Sequence, residues 1–226
     1  MLINKKCILS IGYLGGIVAN LEEFTWSWGT LLLTTHETIC GPNEFIYPMR
    51  SKTSVHSIAR NQLAENFLGD FLLQLDTDHC FDSSLASRMY HLMQTYNLDI
   101  LTGAYTRRDP PYLPLLFKKH DNLYTPLITW EKGHKLHEID GCGGGCLMVR
   151  RRVYDKIKEV YKCGPFDPIS PLSEDLSFCK RCTDLGFKIY FSQDIECHHL
   201  IILQTSLTNT DLSGLGITNH TINSIT

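Results

Sequence analysis

The chain is poor in several features, and each shortage removes a class of function. No stretch of its 226 residues reaches the roughly 18 consecutive apolar residues of a spanning helix, so any membrane contact is expected to be peripheral at most. Neither sign of charge dominates: 21 Lys and Arg stand against 24 Asp and Glu, for a formal net charge of −3. That balance offers no general attraction to nucleic acid, and the basic trio Arg150-Arg151-Arg152 reads as the solvent-facing start of a helix. Nine cysteines is an odd number, spread without the tight spacing of a secreted disulfide scaffold. Reduced thiols and a cytoplasmic setting are therefore expected. Lys5-Lys6 before an apolar run imitates a signal peptide, but no small-x-small cleavage site follows, so the run reads as a first core strand. The sequon Asn219-His220-Thr221 has meaning only if that reading fails.

What is present is ordinary globular composition, 43% hydrophobic and 20% charged, enough for one sizeable core. Strand and helix patterns alternate. Cys7 to Tyr13 predicts a strand, and Asn20 to Leu33 a helix capped by Asn20 with Glu22 and Glu23 in its first turn. Glu44 to Pro48 predicts a second strand. Ser54 to Phe67 predicts a helix, with Val55, Ile58, Ala59, Leu63 and Phe67 on its apolar stripe. A helix over Leu85 to Tyr96 and a strand over Leu98 to Tyr105 follow. Between Leu113 and Ile139 short apolar pieces alternate with turns, which predicts small antiparallel strands. Arg151 to Tyr161 and Ser173 to Leu185 predict helices, and Phe187 to Phe191 the last strand, with Cys197-His198-His199 just beyond it. The fold class is α/β: one domain over residues 1–203, then a polar tail or lid over 204–226.

The most informative stretch is Phe71 to Cys80, an apolar run that breaks abruptly into Asp76 and Asp78. A strand buried on both faces demands such a run, and ligands collect at the carboxyl ends of strands in open α/β sheets. Carboxylates at i and i+2 can share a divalent cation, and hard oxygen ligands suit Mg2+ or Mn2+ carrying a diphosphate. The plainer role of such a pair is a helix cap, but Asp82, Ser83 and Ser84 already supply one. Further on, four glycines in Gly141 to Gly145 mark a place where backbone approaches something closely or moves.

These pieces fall into an order: Ala59-Arg60-Asn61, Leu75-Asp76-Thr77-Asp78, Thr102-Gly103-Ala104-Tyr105, Gly141 to Cys146 before Met148-Val149-Arg150-Arg151, Ser173-Glu174-Asp175, and His198-His199. Together, over roughly residues 5 to 202, the chain resembles the GT-A class of nucleotide-sugar-dependent glycosyltransferases, especially family-2-like members of bacteria and their phages. The resemblance implies a single Rossmann-like domain with a mostly parallel central sheet and a small antiparallel acceptor-side portion. It implies Mn2+ or Mg2+ held by Asp78 and a terminal histidine, with Asp76 reaching the metal or the nucleoside. His199, followed by Leu200, fits that histidine better than His198. Arg60 is implied as a contact to the phosphates, with Asn61 and Gly144 counted in the same donor-binding set. Asp175, beside Glu174, matches the general base of inverting members, although Ser173-Glu174-Asp175 also reads as a capped helix start. The implied donor is a UDP- or GDP-sugar, and the acceptor a carbohydrate, a protein or another hydroxyl compound. One departure stands out: Tyr13-Leu14-Gly15-Gly16 carries no acidic residue where such chains usually offer one for the nucleoside.

Other chemistries compete. Cys142-x3-Cys146, Cys179-x2-Cys182 and Cys197-His198-His199 offer structural zinc ligands, though Cys179 and Cys182 fall on a helix stripe with Leu176. Asp-x-Asp after a strand also marks a class of phosphatases, whose motif usually lies nearer the N-terminus. A nucleotidyltransferase would need a glycine-rich start with a nearby Arg, which is absent. A domain that binds nucleotide sugar without turning it over is a further alternative.

Overall fold

Alternation of apolar strands and amphipathic helices produces sixteen elements in the computed structural model, which describes residues 5–15, 22–121, 123–131, 133 and 135–200. In chain order they are β1 (Lys6–Tyr13), α1 (Glu22–Ile39), β2 (Glu44–Arg50), α2 (His56–Asn66), β3 (Phe71–Leu75), β4 (His79–Phe81), α3 (Leu85–Thr95) and β5 (Ile100–Ala104). Then come β6 (Leu116–His120), β7 (Leu123–Pro126), β8 (His137–Ile139), β9 (Gly141–Cys142), β10 (Cys146–Arg150), α4 (Arg151–Tyr161), α5 (Glu174–Asp184) and β11 (Ile189–His199). The expected Asn20 cap, the sequon and the tail lie outside the described residues. No helix of the described residues is long and apolar enough to cross a membrane.

The main sheet has eight strands in the order β2-β1-β3-β10-β5-β11-β4, with β8 pairing β11. Five of them, β1, β2, β3, β5 and β11, run in one direction, because β10 sits antiparallel to both β3 and β5. The mixed α/β architecture expected from the sequence is the one found, and β7-β6-β9 form the small antiparallel sheet. Period-2 alternation divides the core. Phe71, Leu73 and Leu75 of β3 join Phe24 and Leu31 of α1 and Met89 and Met93 of α3 on one face. Leu72 points to the other face, among Leu63 of α2, Val153 and Ile157 of α4, and Phe178 of α5. Burial on both faces explains why four of the five residues of Phe71–Leu75 are apolar, and the exception, Gln74, donates to Tyr154 Oη at 3.2 Å.

Four local expectations are corrected. The first helix runs to Ile39, six residues past Leu33. Pro48 lies inside β2, tolerated because β2 is an edge strand with its free side away from β1. The α2 stripe is turned: Val55 and Ile58 are about half exposed, while Arg60 is buried beside Ala59, Leu63 and Ala64. Finally, the last strand does not stop near Phe191. It shifts register between Ser192 and Glu196, then continues through His199 as the partner of β4. The polar Ser192-Gln193-Asp194 step hides that continuation from a hydrophobicity pattern.

Candidate active site

Three carboxylates and one guanidinium meet where β3 ends. Asp76 follows the last residue of β3, and its N–H donates to the Gly145 carbonyl at 3.0 Å, tying the strand end to the glycine segment. Arg60 comes from α2 and is only 2% exposed. Its Nη1 donates to the Gly144 carbonyl at 2.7 Å, and its Nη2 donates to Asp76 Oδ1 and Oδ2 at 3.1 and 3.2 Å. Its Nε lies 3.0 Å from Asp175 Oδ1, close enough for an ion pair but misaligned for a hydrogen bond, since neither atom finds a hydrogen-bond partner. Glu174 Oε1 stands farther off, 4.0 Å from Arg60 Nε and 3.7 Å from His56 Nδ1.

A buried guanidinium persists only when paired, and here it sets the protonation of its partners. Burial works against ionisation of Asp76, but Arg60 outweighs it and holds the carboxyl below its ordinary range. Asp175 moves the other way. Burial raises it to about 6, with Glu174 and Asp76 adding to the rise and Arg60 opposing it. The side chain of Asp175 keeps 21% exposure, so solvent tempers that shift.

The glycine segment owes its composition to close approach, not to unusual backbone angles. A Cβ on Gly144 would lie 2.5 Å from Arg60 Cζ and 2.6 Å from Asp175 Oδ1. A Cβ on Gly145 would collide with the His79 ring and stand 3.0 Å from Asp76 Oδ2. The Gly145 N–H donates to Tyr105 Oη at 2.7 Å. Two successive glycines thus form a thin wall with Asp175 against one and His79 against the next.

On that second side lies the one cluster of three metal-type donors found among the described residues: Asp78, His79 and His199, with donor atoms all within 4.8 Å of one another. Strand pairing assembles it. In the antiparallel β4–β11 ladder His79 stands directly opposite His199, and the Leu200 N–H donates to the Asp78 carbonyl at 2.7 Å. The two imidazoles stack with centroids 4.1 Å apart, and the Tyr105 ring meets both edge-on. His198 points away and is exposed, as strand alternation requires. His79 is fully buried, and neither ring nitrogen has a hydrogen-bond partner. Burial pushes its pKa down to about 4, so the ring is neutral and able to ligate. These orphaned nitrogens beside a carboxylate fit a divalent cation.

The residues expected from the sequence are therefore distributed unevenly. Asp78 and His199 share the donor cluster, whereas Asp76 is turned to Arg60. Arg60 is no open phosphate contact: it is buried beneath the glycine wall, its donors engaged by Asp76 and Gly144. Asn61 braces a loop, donating to Asp167 Oδ1 at 2.7 Å and accepting from the Phe166 N–H at 2.9 Å. Cys179 and Cys182 are buried in the core beside Phe178, with the Cys142 and Cys179 sulfurs 3.9 Å apart. Two participants went unseen in the sequence. His79 directly follows Asp78, and period-2 logic assigns adjacent residues to opposite sides. Arg108, on the loop after Tyr105, reaches Asp78 Oδ2 at 2.9 Å; its Arg107-Arg108-Asp109-Pro110-Pro111 context reads only as a turn.

Two cavities flank these groups. One of about 650 Å³ is lined by Tyr112, Trp130, Gln193, Asp194, Glu196 and His199, among others. Another of about 690 Å³ lies at the carboxyl ends of β1 and β2, with Tyr13, Trp28, Tyr47, Arg50 and Lys52 in its lining.

Comparison with known proteins supplies the family. Curated proteins give no match to the sequence. Among solved structures, the fold is similar to that in the crystal structure of A197 from STIV, with a TM-score of 0.51 and 16% identity over 90% of this chain and 98% of that one. It is similar also to GalNAc-T7, solved with UDP, GalNAc and Mn2+, with a TM-score of 0.56 and 11% identity over 96% of this chain. The chain spans 47% of the GalNAc-T7 chain. The family described as Glycosyl transferase family 2 matches residues 36–158, more than half of the sequence, and the chain belongs to that family.

Proposed function

We propose that the chain transfers a sugar from a UDP- or GDP-sugar to a hydroxyl acceptor, with inversion at the anomeric carbon and with Mn2+ or Mg2+ held by Asp78 and His199. The observation that carries this reading is the pairing of a carboxyl raised toward neutral pH, Asp175, with the Asp78–His199 donor set across the Gly144-Gly145 wall. Asp175 takes the proton from the acceptor hydroxyl. The acceptor oxygen then forms its bond to the anomeric carbon as the bond to the diphosphate oxygen breaks on the opposite face. A base works best with a pKa near the working pH, which is what burial gives Asp175. When bound, the divalent ion supplies positive charge to the leaving diphosphate.

Arg60 has a positioning role in this reading. Its bonds to Asp76 and the Gly144 carbonyl, and its charge beside Asp175, hold the wall and both carboxylates in one arrangement. The nucleoside belongs in the cavity at the ends of β1 and β2, where the aromatic rings of Tyr13 and Trp28 meet at 4.9 Å. Those rings answer the missing acidic residue after the first strand. The acceptor belongs in the cavity that His199 borders. A cytoplasmic enzyme with reduced thiols completes the proposal.

The metal link is tested by measuring UDP and GDP binding to the wild type with and without Mn2+, and to Asp78→Ala. Tighter binding with Mn2+ that Asp78→Ala abolishes is expected. Equal affinity in all three arms would remove the metal from the mechanism.

A further inference from the structure

His79 has no assigned role in that transfer, yet its surroundings are those of a ligand. It is completely buried, and both ring nitrogens lack a hydrogen-bond partner. Leaving such an atom unsatisfied costs about 1–3 kcal/mol, so a native interior rarely keeps one without a reason. Its Nδ1 lies 3.8 Å from Asp78 Oδ1. Two donors on one ion, each about 2.1 Å from it, stand between roughly 3 and 4.2 Å apart, depending on whether they are neighbours or opposed.

His199 is prepared from its other side. Its Nδ1 meets the Thr106 carbonyl oxygen. A backbone carbonyl on one imidazole nitrogen fixes the tautomer and leaves Nε2 as the metal-facing lone pair. The β4–β11 register makes His79 and His199 a cross-strand pair with Asp78 adjoining, their donor atoms within 4.8 Å of one another, so that a small turn of the two stacked rings away from each other brings both onto one ion.

We propose that His79 is a third protein ligand in the site with Asp78 and His199, and that this donor set of two imidazoles and one carboxylate makes the chain select transition ions over Mg2+. The proposal rests on the metal-dependent reading above and adds both the ligand and the selectivity. Mg2+ demands near-ideal octahedral oxygen coordination and gives up its waters reluctantly. Imidazole nitrogen suits first-row transition ions, with affinity rising from Mn2+ through Co2+. A site built only from Asp76 and Asp78 would hold Mg2+ and Mn2+ about equally well. Asp76 is withdrawn from that task by Arg60, and His79 stands in its place.

The test titrates the full chain with Mn2+ alone, Co2+ alone and Mg2+ alone, then repeats each with UDP, reading binding by calorimetry and by the EPR signal of free Mn2+. The wild type is expected to bind one Mn2+ at least ~10-fold more tightly than Mg2+, and Co2+ more tightly than Mn2+. His79→Phe keeps a ring against His199 and removes both nitrogens. It should weaken Mn2+ by roughly 10–100-fold and bring Mn2+ and Mg2+ within about 3-fold of each other. His79→Gln serves as a second variant, and melting curves report whether each folds. Pulsed EPR of Mn2+ bound to the wild type should show nitrogen couplings from two imidazoles, a result that decides the matter even if neither variant folds.

Coupling to a single imidazole, or folded variants with unchanged affinity and ion preference, would overturn the assignment of His79. If Asp78→Ala still abolished Mn2+ binding in that case, the metal-dependent reading would stand without His79. Failure of Mn2+ to bind the wild type, alone or with UDP, would defeat both.

Discussion

Asp175→Asn separates the chemistry of the site from its stability, because the two should move in opposite directions. The carboxyl rises from 3.8 to about 6 through burial, with Glu174 and Asp76 adding to the rise. An acid whose pKa is raised on folding binds more protons in the native state. Stability is therefore full below the unfolded pKa and falls as pH rises through the window from about 4 to about 6. At 1.36 kcal/mol per pH unit the cost above that window is at most about 3 kcal/mol. With 21% of the side chain exposed, roughly half of that is a fair working figure. The amide escapes this cost and gives up about 0.3–1 kcal/mol of favourable charge in the first turn of α5. The helix cap is untouched, since Ser173 Oγ accepts from the Leu176 N–H at 3.3 Å. The net gain of about 1 kcal/mol should raise Tm by roughly 2–4 °C at pH 8 in a chain of this size and vanish near pH 4. Turnover should drop by roughly 10²-fold or more with donor binding nearly intact, and the acid limb that the wild-type kcat/KM shows near pH 6 should be missing from the variant. Thermal melts across pH 4 to 8, with initial rates and the anomeric configuration of the product, provide the readouts. A variant that melts several degrees below the wild type at pH 8, keeps near-normal transfer, or yields a product of retained configuration would refute the reasoning.

Removing the guanidinium should do the reverse. Arg60→Met leaves Asp76 and Asp175 without their cation, and such loss of one partner in a buried pair costs about 3–5 kcal/mol, readable as a lower denaturation midpoint. Gly144→Ala forces a Cβ onto Arg60 and Asp175, so it should lower stability by roughly 1–3 kcal/mol in the same assay; an unchanged midpoint would mean that the wall yields to an added methyl group. Cys182 is a packing residue of α5, so Cys182→Ser should leave the zinc content of protein purified without chelator unchanged by elemental analysis, whatever the Asp78–His79–His199 donors take up, and should cost about 1–3 kcal/mol. Zinc present at one equivalent and lost on that substitution would return the cysteines to metal binding.

Much of this was legible in the chain because it is local. An apolar run ending in Asp76 announces a buried strand with carboxylates at its end, and that run is β3. Ser173-Glu174-Asp175 announces a capped helix start, and Ser173 is the cap. The glycine cluster announced close approach without naming the neighbour, which proved to be Arg60 and Asp175 on one residue and His79 on the next. Other readings failed where a local rule met a stronger distant one. Arg60 lies on the buried side of α2 because two carboxylates, one just past β3 and one in α5, converge on it, and helical periodicity contains neither. The continuation of β11 past Phe191 escaped because its hydrogen-bond partner is a strand of only three residues.

Secondary structure, the two-faced core and the carboxylates at a strand end follow from patterns spanning a few residues, so the linear chain determines them on its own. The donor cluster does not. His79 and His199 are 120 positions apart, and their meeting depends on the antiparallel register of β4 and β11, where a shift of one residue would bring His198 opposite His79 instead. Register is a property of the closed sheet, set when the whole core packs, and only the tertiary structure could decide which histidine stands beside Asp78.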